Sequence, residues 1–373
     1  MALTNFAALT TEQLTAWSRD FWRVARNASF INKFAGSGPN AMVQRISDLT
    51  TSDKGTRAVL TLIAEATGDG ITGDNTMEGN EEALRAYDMV VNIDQLRFAN
   101  RIKGVMADQK SVVNFRETSR DLLAYQMADR IDQLAFLTLS GVSYAYKNNG
   151  GLRPVLPGAG QNLTDLEFAA DVTAPSTNRH LRWVAATPAL AAGATASVVA
   201  TDLMSYRTIV ELKTFAKDHY IRGIRQGNDE VYHMFVTPKQ MFRLKLDSDF
   251  LANVRNAGVR GGENSLFAGT TSVMVDGVMI HEYRHVFNTT GAASGSKWGG
   301  SGTVDGARAL FCGAQALAMA DIGAPKMVED KFDYGNSSGI SISKIFGFKK
   351  PKFRSDYDAA VEDFGVIALD TAI

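Results

Sequence analysis

The clearest candidate for catalysis in this chain is a match to a zinc-protease pattern, His281-Glu282-Tyr283-Arg284-His285. The H-E-x-x-H motif works on an α-helix, where residues four apart stack, both imidazoles reach one zinc ion and the glutamate acts as general base. Here the flanks favour a β-strand, because the turn Asp276-Gly277 and three apolar residues precede the match and a Gly/Ser-rich loop begins at Asn288. On a strand the two imidazoles would lie about 13 Å apart at about 3.3 Å per residue, too far to share one metal through bonds of about 2 Å. We interpret the match as an exposed polar strand and keep a zinc-dependent hydrolase as an alternative.

Other residues with reactive side chains do not form a recognisable catalytic set. The remaining three histidines are scattered, and the glycine-rich stretch Gly291 to Lys297 lacks the spacing of a phosphate-binding loop. The single cysteine, Cys312, lies in the apolar stretch Ala309 to Ala320 and is interpreted as a buried structural thiol. The sequence therefore predicts no catalytic residues, no cofactor and no metal site.

An acidic loop of fifteen residues, Gly68 to Glu82, contains neither Lys nor Arg. Strand-like sequence precedes it (Thr56 to Ala66) and follows it (Tyr87 to Asn92), which predicts an extended hairpin. The carboxylates do not alternate at calcium-ligand positions, and loops of this length are uncommon unless they are functional. We predict that this loop contacts a neighbouring molecule through its five carboxylates: Asp69, Asp74, Glu78, Glu81 and Glu82.

The segment Lys344 to Arg354 places five positive charges among three phenylalanines. Basic residues interleaved with aromatics are typical of nucleic-acid binding. A second interpretation is a solvated strand with an apolar inner face. A third is contact with the acidic loop of another copy of the chain, because a heterologous interface joins two different patches of identical subunits. On the third interpretation the basic inter-subunit contacts are Lys349, Lys350, Lys352 and Arg354.

The composition fits one elaborate globular domain or two. The chain has 373 residues, 45% of them hydrophobic and 21% charged, with a formal net charge of −1. A charge this close to zero gives no global attraction to nucleic acid or to a membrane surface. The N-terminus lacks the pattern of a signal peptide, and no apolar run approaches membrane-spanning length. We expect a protein that is made and folded in the cytoplasm and does not interact with membranes.

Helical periodicity appears at three places. Thr11 to Val24 predicts an amphipathic helix inside a basic N-terminal arm, and residues 112–140 predict a long helix that ends at Gly141. Residues 201–217 predict another helix. Thr237-Pro238 with Gln240 forms a capping box that opens a further helix.

The rest of the chain favours strands and loops. Residues 142–200 are rich in Gly, Pro and Ala and predict a loop-rich insertion with a short strand near Leu181 to Ala185. Ser272 to Phe287 predicts a hairpin, and Val366 to Ile373 predicts a final strand.

The order of these elements resembles the major capsid proteins of tailed bacteriophages with the HK97-type fold. Local stretches sharpen the resemblance to the branch typified by the coliphage N-four capsid protein, and they span about two-thirds of the chain in the family's order. These stretches are Glu78-Gly-Asn-Glu-Glu-Ala-Leu84, Phe235-Val-Thr-Pro-Lys-Gln240, Asn264-Ser-Leu-Phe-Ala-Gly269, Leu310-Phe-Cys-Gly-Ala-Gln-Ala316, Phe332-Asp-Tyr-Gly-Asn336 and Gly347-Phe-Lys-Lys350.

The resemblance implies an HK97-like α+β fold with an N-terminal arm, an extended β-hairpin loop, a peripheral domain with a long spine helix and an axial α/β domain. It divides the chain into an arm (1–52), the extended loop (53–110), the spine helix (111–147), an insertion (148–200), peripheral segments (201–229 and 331–373) and the axial domain (230–330).

The resemblance also implies a function. Many copies would form pentamers and hexamers and close an icosahedral head around double-stranded DNA, assembled in the bacterial cytoplasm. Scaffold, portal and cement proteins are possible partners, the DNA would be contacted without sequence specificity at most, and no membrane is involved. A different phage assembly component, such as a tail or portal protein, is kept as a second alternative.

Overall fold

The computed structural model describes residues 29–46, 55, 57–63, 70–79, 81, 86–109, 115–257, 272–355 and 357–373. The predicted helix at Thr11 to Val24 lies outside these residues. Within them the α-helices are α1 (Val105–Gln109), α2 (Phe115–Ser140), α3 (Tyr206–Asp218), α4 (Pro238–Leu246) and α5 (Ser248–Ala257).

Strands supply most of the remaining regular structure. In chain order they are β1 (Ala35–Gly36), β2 (Val43–Ile46), β3 (Arg57–Ile63), β4 (Ala86–Asn92), β5 (Asp94–Arg101), β6 (His180–Val184), β7 (Ala189–Ala192), β8 (Ile224–Gln226), β9 (Asp229–Val236), β10 (Ser272–Val275), β11 (Val278–Glu282), β12 (Gly306–Cys312), β13 (Leu317–Asp321), β14 (Lys326–Phe332), β15 (Ser337–Lys349), β16 (Lys352–Ser355), β17 (Ala360–Asp363) and β18 (Val366–Ala372).

The strands form two large sheets and two separate hairpins. The larger sheet runs β10-β11-β9-β12-β18-β6-β7, with β8 paired to β9, and the smaller runs β1-β2-β13-β15-β14, with β5 paired to β15. The hairpins are β3-β4 and β16-β17. Strand β15 is the longest and pairs along its length with β14, β5 and β13, so it organises the smaller sheet.

The long helix α2 forms where the sequence predicts it. Its apolar stripe of Leu123, Met127, Ile131 and Leu134 is buried, and the helix packs on β15, β5 and β12. Its 26 residues extend for about 39 Å at 1.5 Å per residue. Gly141 ends it with φ of 66°, and a Cβ there would meet the carbonyl oxygen of Thr173 at 2.5 Å, so only glycine fits.

Local turn and cap chemistry accounts for several other predicted boundaries. Thr237 caps α4 by accepting from the backbone N–H of Gln240, whose side-chain oxygen accepts in turn from the N–H of Thr237. Asp276 and Gly277 both have positive φ, 46° and 74°, as a tight hairpin turn between β10 and β11 requires. The predicted strand near Leu181 is β6, and the predicted final strand is β18.

Two sequence-based boundaries differ from the observed elements. The strand predicted from Val278 to Phe287 ends at Glu282, because the chain then turns and Tyr283 accepts a backbone hydrogen bond from Val286. The larger sheet is not confined to residues 230–330, since β6 and β18 join it from residues 180–184 and 366–372. Long-range pairing of this kind leaves no local signal, and the division into peripheral and axial segments stays a proposal.

Candidate functional site

The extended hairpin is built from β3 and β4, which pair from Arg57 with Asn92 to Ile63 with Ala86. One face carries Ala58, Leu60, Met89 and Val91, all buried, and this cluster packs against Ile46 and two alanines of β13. Val59 and Val90 on the other face are exposed. The alternation anchors the base of the hairpin on the smaller sheet and leaves the other face exposed, where Thr61 donates a hydrogen bond to Asp88 beside the two valines.

The tip of the hairpin carries exposed carboxylates. Asp74, Glu78 and Glu81 are exposed, and none of the three makes an ion pair within the described residues. Glu81 accepts a hydrogen bond of 2.8 Å from the backbone N–H of Gly79, which folds the loop on itself. Asp69 and Glu82 lie outside the described residues. The described tip therefore presents three negative charges without internal neutralisation.

A clamp formed by the insertion holds the base of the hairpin. Asp171, at the end of the 3₁₀ turn Glu167–Asp171, accepts from the backbone N–H of Asn92 at 3.0 Å and from Lys349 Nζ at 2.9 Å. Lys349 also donates to the carbonyl oxygen of Val90 at 2.7 Å. One buried carboxylate and one lysine thus join the insertion, β4 and β15. The sequence analysis missed Asp171, and nothing local to it could have identified its partners.

The basic segment is not a solvated surface. Lys344 is buried and pairs with Asp321 at 2.9 Å, and Lys350 is buried and pairs with Asp363 at 3.0 Å. The interpretation of a solvated strand is wrong for these two residues, although the buried phenylalanines Phe346 and Phe348 do form the predicted apolar face. Three of the five cations, counting Lys349, are neutralised inside the chain, which removes most of the charge that a nucleic-acid site would need.

Fewer of the four predicted basic partners of the acidic loop are therefore available to another copy of the chain. The ammonium group of Lys350 is buried and cannot contact a neighbour, so the prediction that Lys350 is an inter-subunit contact is wrong. Lys349 is already paired with Asp171 of its own chain. Lys352 is half-buried and Arg354 is exposed. These two remain candidates for the predicted inter-subunit contact.

A second buried carboxylate fixes the point where the N-terminal segment meets the long helix. Asp132 of α2 accepts hydrogen bonds from the Ser29 hydroxyl, from the backbone N–H groups of Phe30 and Ile31, and from the Tyr283 hydroxyl at 2.7 to 3.1 Å. Burial raises the pKa of Asp132, and these hydrogen bonds partly offset the rise. The segment that begins at Ser29 is thus attached to α2 by a carboxylate whose two oxygens each accept two hydrogen bonds.

The zinc-protease match does not have the geometry of a metal site. His281 lies on β11, and its Nε2 is 3.0 Å from Nδ1 of His233. His285 lies beyond the end of the strand, with its Nε2 2.7 Å from Asp129 Oδ1. The two imidazoles contact different groups, and no cluster of three or more potential metal ligands occurs in the part of the chain that the structure describes. The strand is confirmed from Val278 to Glu282, but the prediction that it is exposed is wrong, because His281 and Glu282 are half-buried and Val278 and Ile280 are buried.

The lone cysteine fits its predicted structural role. Cys312 is completely buried on β12, and burial raises the pKa of its thiol far above the ordinary value. A thiol held protonated in this way is a poor nucleophile.

Among the described helices, none is long and apolar enough to cross a membrane.

Solved structures with the same architecture define the class of the fold. The structure of the capsid of Ralstonia phage GP4 superposes with a TM-score of 0.73 and 26% sequence identity. The match covers 92% of this chain and 90% of the GP4 chain. The Cyanophage Pam1 capsid asymmetric unit matches 100% and 96% with a TM-score of 0.69, and its 17% identity shows the fold alone. The molecule has the HK97-type α+β capsid fold that the sequence predicts.

Sequence comparison gives the family. A model of the phage capsid protein family matches residues 5–373. The major capsid protein of Pseudomonas phage KPP25 is 57% identical over 372 residues, which cover 99% of this chain and 97% of that protein. The chain belongs to the phage capsid protein family.

Proposed function

We propose that this chain is the major capsid protein of a tailed phage and self-assembles into the icosahedral head that encloses double-stranded DNA. The observation that carries the proposal is its similarity to the KPP25 major capsid protein, which extends along nearly the whole of both chains. A shared fold alone would not distinguish one capsid-like role from another. Identity of this extent supports the same role in the particle.

The proposal includes the arrangement of copies. Pentamers and hexamers form the shell, the arm reaches a neighbour, and the acidic hairpin tip meets a basic surface of another copy. The single-sign, unpaired charge of Asp74, Glu78 and Glu81 supports this last contact. Lys352 and Arg354 are the members of the predicted basic set that still face solvent. Single exposed pairs are worth under about 1 kcal/mol, so such contacts act through repetition over the shell.

The remaining parts of the proposal follow from a structural role. The chain has no enzymatic activity of its own, it is assembled in the bacterial cytoplasm, and scaffold, portal and cement proteins are its candidate partners. Contact with packaged DNA is non-specific. The insertion 148–200 supports the base of the hairpin through Asp171.

Electron microscopy of the expressed protein tests the proposal. Negative-stain images, after sizing by sedimentation, are expected to show closed shells or pentameric and hexameric rings, with scaffold co-expressed where the chain alone stays monomeric. Rings that are neither pentameric nor hexameric, or open tubes, seen both with and without scaffold, would favour the portal or tail alternative. Stoichiometric zinc that is lost in His281→Ala would instead favour the hydrolase.

A further inference from the structure

Two imidazoles meet beneath residues 29–36, the first described segment of the chain, which is called the root segment below. Nδ1 of His233 on β9 lies 3.0 Å from Nε2 of His281 on β11. His233 is buried and His281 is half-buried. A hydrogen bond between two imidazole nitrogens needs a proton on one of them and a free lone pair on the other. The pair can therefore form only while at least one ring is neutral.

The root segment packs on both imidazoles through two phenylalanines. The ring centroid of Phe34 lies 5.0 Å from that of His233 and 5.0 Å from that of His281, edge to face in both cases. The ring of Phe30 lies 6.2 Å from His281. Both phenylalanines also contact Phe235 of β9. One aromatic cluster thus joins the root segment to the larger sheet, and the imidazole pair is the part of this cluster that can titrate.

A second attachment holds the start of the root segment. The backbone N–H groups of Phe30 and Ile31 donate to the carboxylate of Asp132 on α2 at 2.8 and 3.1 Å. The 3₁₀ turn Ile31–Phe34 then carries the chain from this carboxylate to the imidazole pair. The root segment is therefore fixed at two points, one on the long helix and one on the larger sheet.

The surroundings of the imidazole pair do not compensate a positive charge. In the described part of the chain, no carboxylate forms an ion pair with either ring. Lys33 of the root segment adds a like charge, and Cys312, the register partner of His233 on β12, is a buried thiol whose pKa burial raises. Burial, and then the charges of His233 and Lys33, lower the pKa of His281 to about 4. Protonation is thus opposed from every side of the pair.

The two attachments respond to acid in opposite directions. Burial raises the pKa of Asp132, so the folded chain takes up a proton there more readily than an opened one, and acid strengthens this attachment. Burial lowers the pKa of both His233 and His281. For these rings the opened chain takes up protons more readily, and their contribution is lost as the pH falls below about 6.5. Acid therefore weakens the second attachment and not the first.

We infer that the His233–His281 pair is an acid-sensitive latch, which fixes the root segment on the larger sheet at neutral pH and releases it once both rings are protonated. Two imidazolium groups cannot share a hydrogen bond, and the face of a phenylalanine attracts a cation only weakly. The root segment then stays attached at Asp132 and pivots there. The latch belongs to the single subunit and does not depend on shell formation. Where copies assemble as proposed, its release would free the root of the arm.

Hydrogen exchange of the full-length subunit, measured from pH 7 to pH 4.5, tests the inference. The reporting amides are those of Lys33 and Ala35, which donate to the carbonyl oxygens of Phe30 and Asn32 in the 3₁₀ turn. After correction for the intrinsic exchange rate at each pH, their opening constant should rise about 50-fold, as expected for a pKa that returns from about 4 to 6.5 on opening. The amides of α2 should change much less, because the release is local.

Substitutions identify the groups that cause the rise. His233→Gln combined with His281→Gln removes both titrating rings and keeps neutral side chains that can hydrogen-bond, so the rise should disappear. His219→Gln is the matched control, because His219 is also half-buried but is paired with Asp358, and its variant should behave like the wild-type protein. Where the double variant does not fold, the exposed Lys33 decides. A carboxylate there would compensate a protonated ring, so Lys33→Glu should reduce the rise about fivefold or more.

Each outcome bears on the latch directly. A rise at the root segment that the histidine double variant or Lys33→Glu abolishes or reduces, with His219→Gln unaffected, supports the inference. The same rise in the wild-type protein and in the double variant overturns it, and so does an unchanged rise in Lys33→Glu. No rise in the wild-type protein, or an equal rise throughout α2, also overturns it, because the first shows that acid does not open the segment and the second reports global unfolding.

Discussion

The acidic hairpin tip and the basic segment Lys344 to Arg354 are two charge runs of opposite sign that the structure treats differently. The tip keeps its described carboxylates exposed and without ion pairs. The basic segment instead pairs Lys344, Lys349 and Lys350 with three aspartates of the same chain. One run is available to another molecule, and most of the other is used to hold the fold together.

The difference follows from the surroundings of each run. The tip connects β3 to β4, and its carboxylates Asp74, Glu78 and Glu81 are exposed and make no ion pair with any other described residue. The basic segment spans the end of β15 and the start of β16, where neighbouring strands bring carboxylates to it. Charged residues are almost never fully buried unless paired, and here each buried lysine has its aspartate. Charge patterning alone therefore cannot separate a surface from a core network.

The largest effect should come from breaking the buried Lys350–Asp363 pair. Lys350→Met leaves the carboxylate of Asp363 buried without its cation, and loss of one partner of such a pair typically costs about 3–5 kcal/mol. We expect the unassembled subunit to unfold at a clearly lower urea concentration, with tryptophan fluorescence as the readout. Lys352→Met, on the same segment but half-buried and unpaired in the described chain, is the matched control.

The same comparison can be sharpened with a second substitution. Asp363→Asn added to Lys350→Met removes the orphaned charge and keeps an acceptor for the backbone N–H of Ser176. Most of the lost stability should return, because the cost comes from an uncompensated charge and not from the missing attraction. Equal unfolding midpoints for Lys350→Met and Lys352→Met would show that the pair is not buried in the way described.

The contrast also shows what could be predicted from the sequence. The long helix, the capping box at Thr237, the hairpin turn at Asp276 and the strand character around His281 all follow from local patterns, and each is observed. The clamp at Asp171 depends on partners 79 and 178 residues away, and the burial of Lys350 depends on Asp363, which lies 13 residues further on and on a different strand, so no helix or strand periodicity reveals either contact. The same reason explains why β6 and β18 could not be placed in the larger sheet.

A smaller effect is expected from the clamp at the base of the hairpin. Asp171→Ala removes the acceptor for the Asn92 N–H and for Lys349, at a typical cost of about 1–3 kcal/mol for partners left unsatisfied. The hairpin should loosen locally, which faster hydrogen exchange at residues 86–92 would show. Asp165→Ala, on the neighbouring turn and exposed, is the control. Unchanged exchange in the hairpin would contradict the role given to Asp171.

Two neighbouring imidazoles, the buried His233 and the half-buried His281, make no ion pair with a described carboxylate and extend the comparison to pH. Burial, and then the charges of His233 and Lys33, lower the pKa of His281 from 6.5 to about 4, and burial also lowers the pKa of His233. Their mutual hydrogen bond of 3.0 Å cannot form when both rings are protonated. Because the folded-state pKa is depressed, the stabilising contribution is complete above about pH 6.5 and is lost as the pH falls towards 4.

Denaturation of the unassembled subunit at several pH values measures this contribution. The wild-type protein should lose more stability than His281→Gln between neutral pH and pH 4.5, since glutamine does not titrate. The difference between the two proteins, and not the total loss, is the relevant quantity because many carboxylates also titrate. Parallel curves would show that a protonated imidazole here is compensated by a group other than those described around the pair, which are Lys33 and the rings of Phe30, Phe34 and Phe235.

The smallest effect on stability is expected where the effect on assembly is greatest. Glu78→Lys with Glu81→Lys reverses two exposed charges that make no ion pair in the described chain, so the unfolding free energy of the subunit should change by less than about 0.5 kcal/mol. Shell formation should nevertheless fail, because each copy repeats the reversed contact and small repulsions add over the particle. Lys326→Glu with Lys331→Glu, two exposed charges of β14, is the matched control for a change of surface charge. A subunit that remains stable but cannot assemble would separate the two charge runs by function as well as by burial, whereas normal shells would show that the exposed tip makes no essential contact.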